Sequence, residues 1–352
     1  MAKIVTFYNH KGGVSKTTTT FNTVYYLSLY ENKKVLVIDA DPQCNITELL
    51  LSNLISEIDQ KSEEKGEIIE LPGTSLLNIL NPRIEGSVPT VDITKVEPIV
   101  VNDNLSLIKG DVSLSIIEDA LAEAYIQRFS TKMHEKRNYI AFYDFIKRYS
   151  EAYAFDYVFI DVGPSSGALT RTCILACDGL FIPLNPDRFS IQAIKTLSVI
   201  LSRWFKDHKD IIDDFLKLGL PIKQSLPRLL GTIPQLYKKY KGRPKHGYDL
   251  WMKRVPNSVF EELIPKIGSV DNSTITKLTL DNIIVTEIAD FGSLSPCSQE
   301  VGKAIYNITQ EDTGTITEDG RMWSGGAWQD AMRRMDSFKE NFRKIWERIQ
   351  WL

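Results

Sequence analysis

Short apolar runs alternate along the chain with longer segments of helical spacing. Lys3–Tyr8 is rich in β-branched and aromatic residues and predicts a strand. A Gly-containing loop follows, then a helical run from about Lys16 to Tyr30 and a nearly all-apolar strand, Lys34–Ile38. Continuous apolar runs suit parallel strands buried on both faces. Strand, loop, helix and strand in this order make a βαβ unit, and such units build parallel sheets wrapped by helices. Further strands are expected at 105–108, Tyr157–Ile160, Gly179–Pro183, Leu229–Ile233 and near Asn282–Val285. Leu114 to about Tyr149 has helical spacing. Residues 57–70 carry six acidic side chains and two lysines and read as a solvated helix end or surface loop. Residues 310–326 read as a polar, Gly-rich linker, and a helix is expected from about Trp328. The expectation is a doubly wound, mostly parallel α/β sheet with helices on both faces. It divides into a body over 1–310 and a linker with final helix over 311–352, the helix packed on the same body.

Composition narrows the class. The 352 residues are 43% hydrophobic and 25% charged, which excludes a disordered or fibrous chain. No apolar run reaches the roughly 18 residues of a membrane span, and the start of the chain has no secretory signal pattern. Four cysteines, with no CxxC pair, make neither a disulfide framework nor an evident metal site, so the cytoplasm is the expected compartment. Cys173 and Cys177, four apart, read as buried structural thiols. The formal charge of −3 excludes a globally basic nucleic-acid binder but leaves room for a local patch. No internal repeat is present.

The candidate chemistry begins at Lys11-Gly12-Gly13-Val14-Ser15-Lys16-Thr17-Thr18, between the first strand and the first helix. Glycines let backbone N–H groups turn toward an anion, and the helix start adds its dipole and unpaired N–H groups. Lys16 supplies a cation for the β- and γ-phosphates, Thr17 a hydroxyl for Mg²⁺, and Thr18 a contact to the α-phosphate. Ser15 stands where the usual P-loop has its last glycine, which is read here as requiring Ser15 to avoid positive φ. The second strand ends in Asp39-Ala40-Asp41-Pro42-Gln43, and the third delivers Asp161 after four apolar residues, followed by Val162-Gly163-Pro164. Carboxylates at the carboxyl ends of parallel strands sit where such folds bind ligands.

The run KGGVSKTT resembles the deviant P-loop of the ParA/MinD family of ATPases. That resemblance implies a three-layer P-loop fold, ATP and Mg²⁺ as cofactors, and an ATP-dependent homodimer in which Lys11 reaches the partner's phosphates. It implies slow, dimer- or partner-stimulated hydrolysis, with Lys11, Lys16 and Asp41 catalytic and Asp41 positioning the attacking water. Thr17, Asp39 and Asp161 would serve the metal. Gly163 departs from the family's paired prolines. The segments 105–114, 176–184 and 288–292 resemble further parts of the family, so the likeness covers most of 1–310. The loop after Ile233 is the expected base-contacting region.

Residues 238–254 hold seven basic side chains against one acidic, with aromatics interleaved. Such a patch can bind DNA phosphates without reading sequence, through Lys238, Lys239, Lys241, Arg243 and Lys245. Three readings follow: a DNA-partitioning ATPase with a ParB-like stimulating partner, a MinD-like ATPase on membrane, or an ATP-gated subunit of a larger protein assembly. The second needs the last helix free. That helix carries one apolar face, through Phe338, Phe342, Ile345, Trp346 and Ile349.

Overall fold

A computed structural model describes residues 1–237, 239–240, 243–244 and 246–352. The strands are β1 (Lys3–Phe7), β2 (Val35–Ala40), β3 (Ile99–Asn102), β4 (Leu105–Ile108), β5 (Tyr157–Val162), β6 (Gly179–Leu184), β7 (Arg228–Tyr237), β8 (Lys239–Tyr240), β9 (Arg243–Pro244) and β10 (Ile288–Ala289). One sheet runs β10-β7-β6-β1-β5-β2-β4-β3, and β8 with β9 forms a separate ribbon. Neighbours in the large sheet pair in parallel, except that edge strand β3 lies antiparallel to β4. β1 lies between β5 and β6, so its carboxyl end opens at the middle of the sheet.

Side chains alternate between two cores, as the period of a strand requires. Ile4, Leu36, Val158 and Leu180 point to one face, where they meet α3 (Leu76–Ile84), α4 (Glu118–Ile126), α5 (Met133–Ala152), α6 (Ala168–Ala176) and α7 (Arg188–Lys209). Val5, Val37, Phe159 and Phe181 point to the other, covered by α1 (Lys16–Tyr30), α2 (Asn45–Lys65), α11 (Leu294–Val301) and α12 (Gly325–Ile349). The remaining helices are α8 (Ile212–Lys217), α9 (His246–Ser258) and α10 (Ile264–Val270), the last two on the first face.

The helical stretch expected over 114–149 is broken. α4 and α5 are separated where Ser130 and Lys132 are extended. The strand expected near Asn282–Val285 is also absent. There the chain makes a single parallel bridge, Ile284 to Thr232, and the edge strand is β10 instead. Gly231 gives the reason. Its φ is 118° at a bulge of β7, and a Cβ there would meet Ile283 O at 2.7 Å, so the irregular backbone lets 283–285 pair only around Thr232.

α12 is not free. Phe342 and Ile345 are fully buried, and Phe338, Trp346 and Ile349 are nearly so. Phe338 meets Phe291 edge-on at 4.6 Å, and Trp346 meets Tyr157 at 5.4 Å. Burial of one such ring contributes about 2–3 kcal/mol to holding the helix on the sheet. The polar 310–326 stretch is tied back as well, since Lys303 pairs with Asp312 at 2.8 Å and Thr313 is buried. Cys173 and Cys177 are buried free thiols, and the Cys177 thiol donates to Cys173 O.

Candidate nucleotide site

The turn from β1 into α1 is held from behind. Asn9 donates to Pro183 O at 2.9 Å and accepts from Lys11 N at 3.0 Å. Gly13 takes φ 68°, which its lack of a side chain allows. Ser15 corrects the sequence reading, because it takes φ 57° and ψ 33°, the left-handed conformation. The loop must reverse there to point successive N–H groups at the helix start. The cost of about 1 kcal/mol is offset by Thr19, whose N–H and hydroxyl both donate to Ser15 O.

The loop opens on a cleft of about 580 Å³, lined among others by Lys16, Thr17, Thr18, Asp41, Glu48 and Gln299. Lys11, next to the lining residue Gly12, pairs with Asp187 at 3.0 Å. Lys16 is buried, and desolvation pulls its ammonium below the usual range, opposed by Asp161 and Asp41. An anion in the cleft would offset that desolvation.

Asp161 lies fully buried at the end of β5. Its Oδ2 accepts from the Thr17 hydroxyl at 2.8 Å and its Oδ1 from Thr20 at 3.3 Å. Burial first, and the neighbouring Asp39 second, push its carboxyl up to about 8. A hydroxyl and a carboxylate with too little positive charge around it are hard oxygen donors, and this set fits Mg²⁺. Asp39 lies beside them, with both its oxygens already engaged. It sits opposite Asp161 in the β2–β5 register, but its carboxylate accepts from Asp41 N and from Thr47 N and Oγ1, at the start of α2. Burial pushes Asp39 up to about 6. Its visible work is to fix the turn that presents Asp41. Asp41 reaches the cleft, and its Oδ1 accepts from Gln43 N at 3.1 Å. Gly163 passes so close that a Cβ would lie 3.0 Å from Asp41 Oδ1, which gives a local reason for glycine in place of proline.

Other expected positions lie elsewhere. The residues just after Ile233 continue β7 to Tyr237, and buried Gln235 donates to the Thr19 hydroxyl. Of the basic patch, Lys238, Lys241 and Lys245 lie outside the described residues, and Lys239 and Arg243 are described only as backbone positions in β8 and β9. Sequence reasoning missed Glu48, Gln299 and Asp187. Asp187 carried the one available signal, a helix-capping Asp before Ser190, whose N–H it accepts at 2.7 Å.

The arrangement is that of a P-loop opening on a cleft, with a second lysine, Lys11, just before it. A family model described as AAA domain matches residues 2–213, and the chain belongs to that family, in its ParA/MinD group of P-loop ATPases. The chain is 26% identical over 270 residues to an uncharacterized protein of Methanocaldococcus jannaschii, covering 77% of this chain and 87% of that one. It is 30% identical over 199 residues to the sporulation initiation inhibitor protein Soj of Bacillus subtilis, covering 56% of this chain and 64% of Soj, just under two thirds of that relative. In fold it is similar to the ATP complex of a Cyanothece McdA variant, with a TM-score of 0.58 at 20% identity, over 97% of this chain and 96% of that one. Among the described residues no helix is long and apolar enough to cross a membrane.

Proposed function

We propose that the chain is an Mg²⁺-dependent ATPase whose ATP-bound homodimer serves as a switch in DNA partitioning. The observation that carries this reading is the meeting of Thr17, Asp161 and Lys16 beside one cleft, with the Lys11 ammonium turned to Asp187 instead. Backbone N–H groups of residues 12–18 and the Lys16 ammonium would hold the phosphates. Thr17 and Asp161 would hold Mg²⁺, which neutralises phosphate charge when bound, and Asp39 would support that shell through the Asp41 turn. Asp41 would orient the attacking water. Lys11 would complete the site across a dimer, so assembly and nucleotide state would act as one switch.

The partitioning role rests on the likeness to the chromosome-partitioning ATPase Soj of Treponema pallidum, 25% identical over 209 residues, and on the basic stretch at 238–254. A ParB-like partner that stimulates hydrolysis and a cytoplasmic, nucleoid-associated location belong to the same reading. The burial of the α12 apolar face argues against a membrane role. The test is binding to non-specific duplex DNA at two salt concentrations, with ATP, with ADP and without nucleotide. Wild type should bind only with ATP and more weakly at high salt, and a variant carrying Lys238→Glu, Lys239→Glu and Lys241→Glu should not bind. Absence of binding in every nucleotide state would remove the DNA role and leave an ATP-gated switch acting on protein.

A further inference from the structure

The segment between the end of β5 and the start of α6 borders the cleft through Pro164, and its far end is held by a residue of the neighbouring helix α4. Helix α6 begins after Gly167, which has no side chain with which to cap it. Glu118, the first residue of α4, supplies the cap from 50 residues away. Its Oε2 accepts from Leu169 N at 3.0 Å and its Oε1 accepts from Ala168 N. Ala168 and Leu169 are buried, so their N–H groups have little access to water. A side chain at 167 would collide with Glu118 Oε1, so the glycine and the carboxylate form one fitted joint.

The intervening loop is short and braced. Tyr8 donates its hydroxyl proton to Ser165 O at 2.9 Å, and the Ser165 and Thr170 hydroxyls lie 2.8 Å apart. Pro164 lines the nucleotide cleft and faces Gly12 of the P-loop. One end of the loop is therefore fixed through Asp161 to Thr17, and the other through α6 to Glu118. α4 is in turn fixed to its neighbours. Arg171 of α6 lies over the Tyr125 ring, Tyr125 donates to Asp207 of α7, and Arg128 pairs with Asp207 at 3.3 Å.

We propose that Glu118 is a positioning residue for the nucleotide switch: by capping α6 it holds the Gly163–Ser166 loop against the P-loop and Asp41. A carboxylate on two N–H groups at a helix start is a charge-assisted contact aligned with the helix dipole, strong enough to fix a short loop. Removing it leaves two buried donors without a partner and lets the first turn of α6 fray into the loop. This inference rests on the ATPase reading for its catalytic consequence, but not for the joint itself.

The test compares wild type with Glu118→Ala and Glu118→Gln, well below their unfolding temperatures. Amide exchange at Ala168 and Leu169 should speed up in Glu118→Ala. Its kcat for ATP should fall about tenfold while the ATP dissociation constant stays within about threefold, because loop placement acts on the transition state more than on the bound nucleotide. Glu118→Gln, which keeps one acceptor oxygen, should fall between. A purely structural cap would lower melting temperature and leave kcat unchanged, and that result overturns the proposal. A kcat loss matched by an equal loss of ATP binding overturns it too. If wild type hydrolyses no ATP, the functional reading fails by itself. The joint is then judged by exchange alone, and unaltered exchange at Ala168 and Leu169 in Glu118→Ala removes it.

Discussion

Lys11 Nζ lies 3.0 and 3.3 Å from the two carboxylate oxygens of Asp187 in its own chain. A lysine that acts across a dimer must first leave this partner. The pair is about one third exposed, so it holds Lys11 by no more than about 1 kcal/mol. Lys11→Ala is expected to abolish hydrolysis and weaken ATP-dependent association, measured by phosphate release and sedimentation. Asp187→Asn keeps an acceptor for Ser190 N but releases the lysine. It should lower the concentration needed for ATP-dependent dimers by up to about fivefold. An Asp187→Asn effect that persists in a Lys11→Ala background would show that the pair is not what restrains assembly.

Asp41 offers a carboxylate to the cleft with one oxygen steadied by Gln43 N. Replacing it by alanine should leave ATP binding in place and slow turnover by at least about a hundredfold, the usual range for loss of a positioned base. The protein would then accumulate as the ATP dimer. Single-turnover hydrolysis with labelled ATP reads the rate, and a rate near wild type would assign the water to another group.

Phe342 sits at the centre of the face that α12 presents to α1 and the sheet, fully buried beside Tyr306. Phe342→Ala should cost about 3–5 kcal/mol in urea unfolding, the usual range for a large ring lost from a core. A cost below about 1 kcal/mol would mean that α12 is detachable and would reopen a membrane role for it.

His208 makes folding depend on pH. Its ring is buried between the Tyr139 hydroxyl at 2.9 Å and Lys223 O at 2.8 Å, with the Lys223–Asp178 ion pair adjoining. Burial holds its pKa down at about 4. Between about pH 6.5 and pH 4 the unfolded chain takes up a proton that the folded chain refuses, so this group makes stability fall as pH falls through that window. The loss from pH 7.5 to pH 5 should be about 2 kcal/mol. His208→Gln should remove that share of the slope in urea titrations at the two pH values.

The central strands were legible because burial on both faces leaves little choice but apolar residues, and β1, β2, β5 and β6 emerge nearly where their runs predict. The P-loop was legible because anion binding needs glycine and lysine at fixed local spacing. What escaped reading depends on distant partners. Asp187, Glu48 and Glu118 look like ordinary surface acids until folding brings Lys11, the cleft or the α6 start beside them. The backbone of Ser15 escaped for a related reason. A residue's intrinsic preference is a matter of about 1 kcal/mol, and the loop's other bonds outweigh it.

The position of α12 in the chain has a consequence for synthesis. The aromatic face formed by Phe7, Phe159 and Phe181 needs a helix that the ribosome delivers only at residues 325–349. At ordinary elongation rates that leaves this face without its α12 cover for roughly ten seconds or more after β6 has emerged. During that interval the nascent chain carries the nucleotide loop and most of the sheet, with α1 and α2 on this face but without the cover that α12 adds. Nucleotide binding to the nascent chain, or a chaperone shielding its open face, would therefore bear most strongly on yield before residues 325–349 emerge.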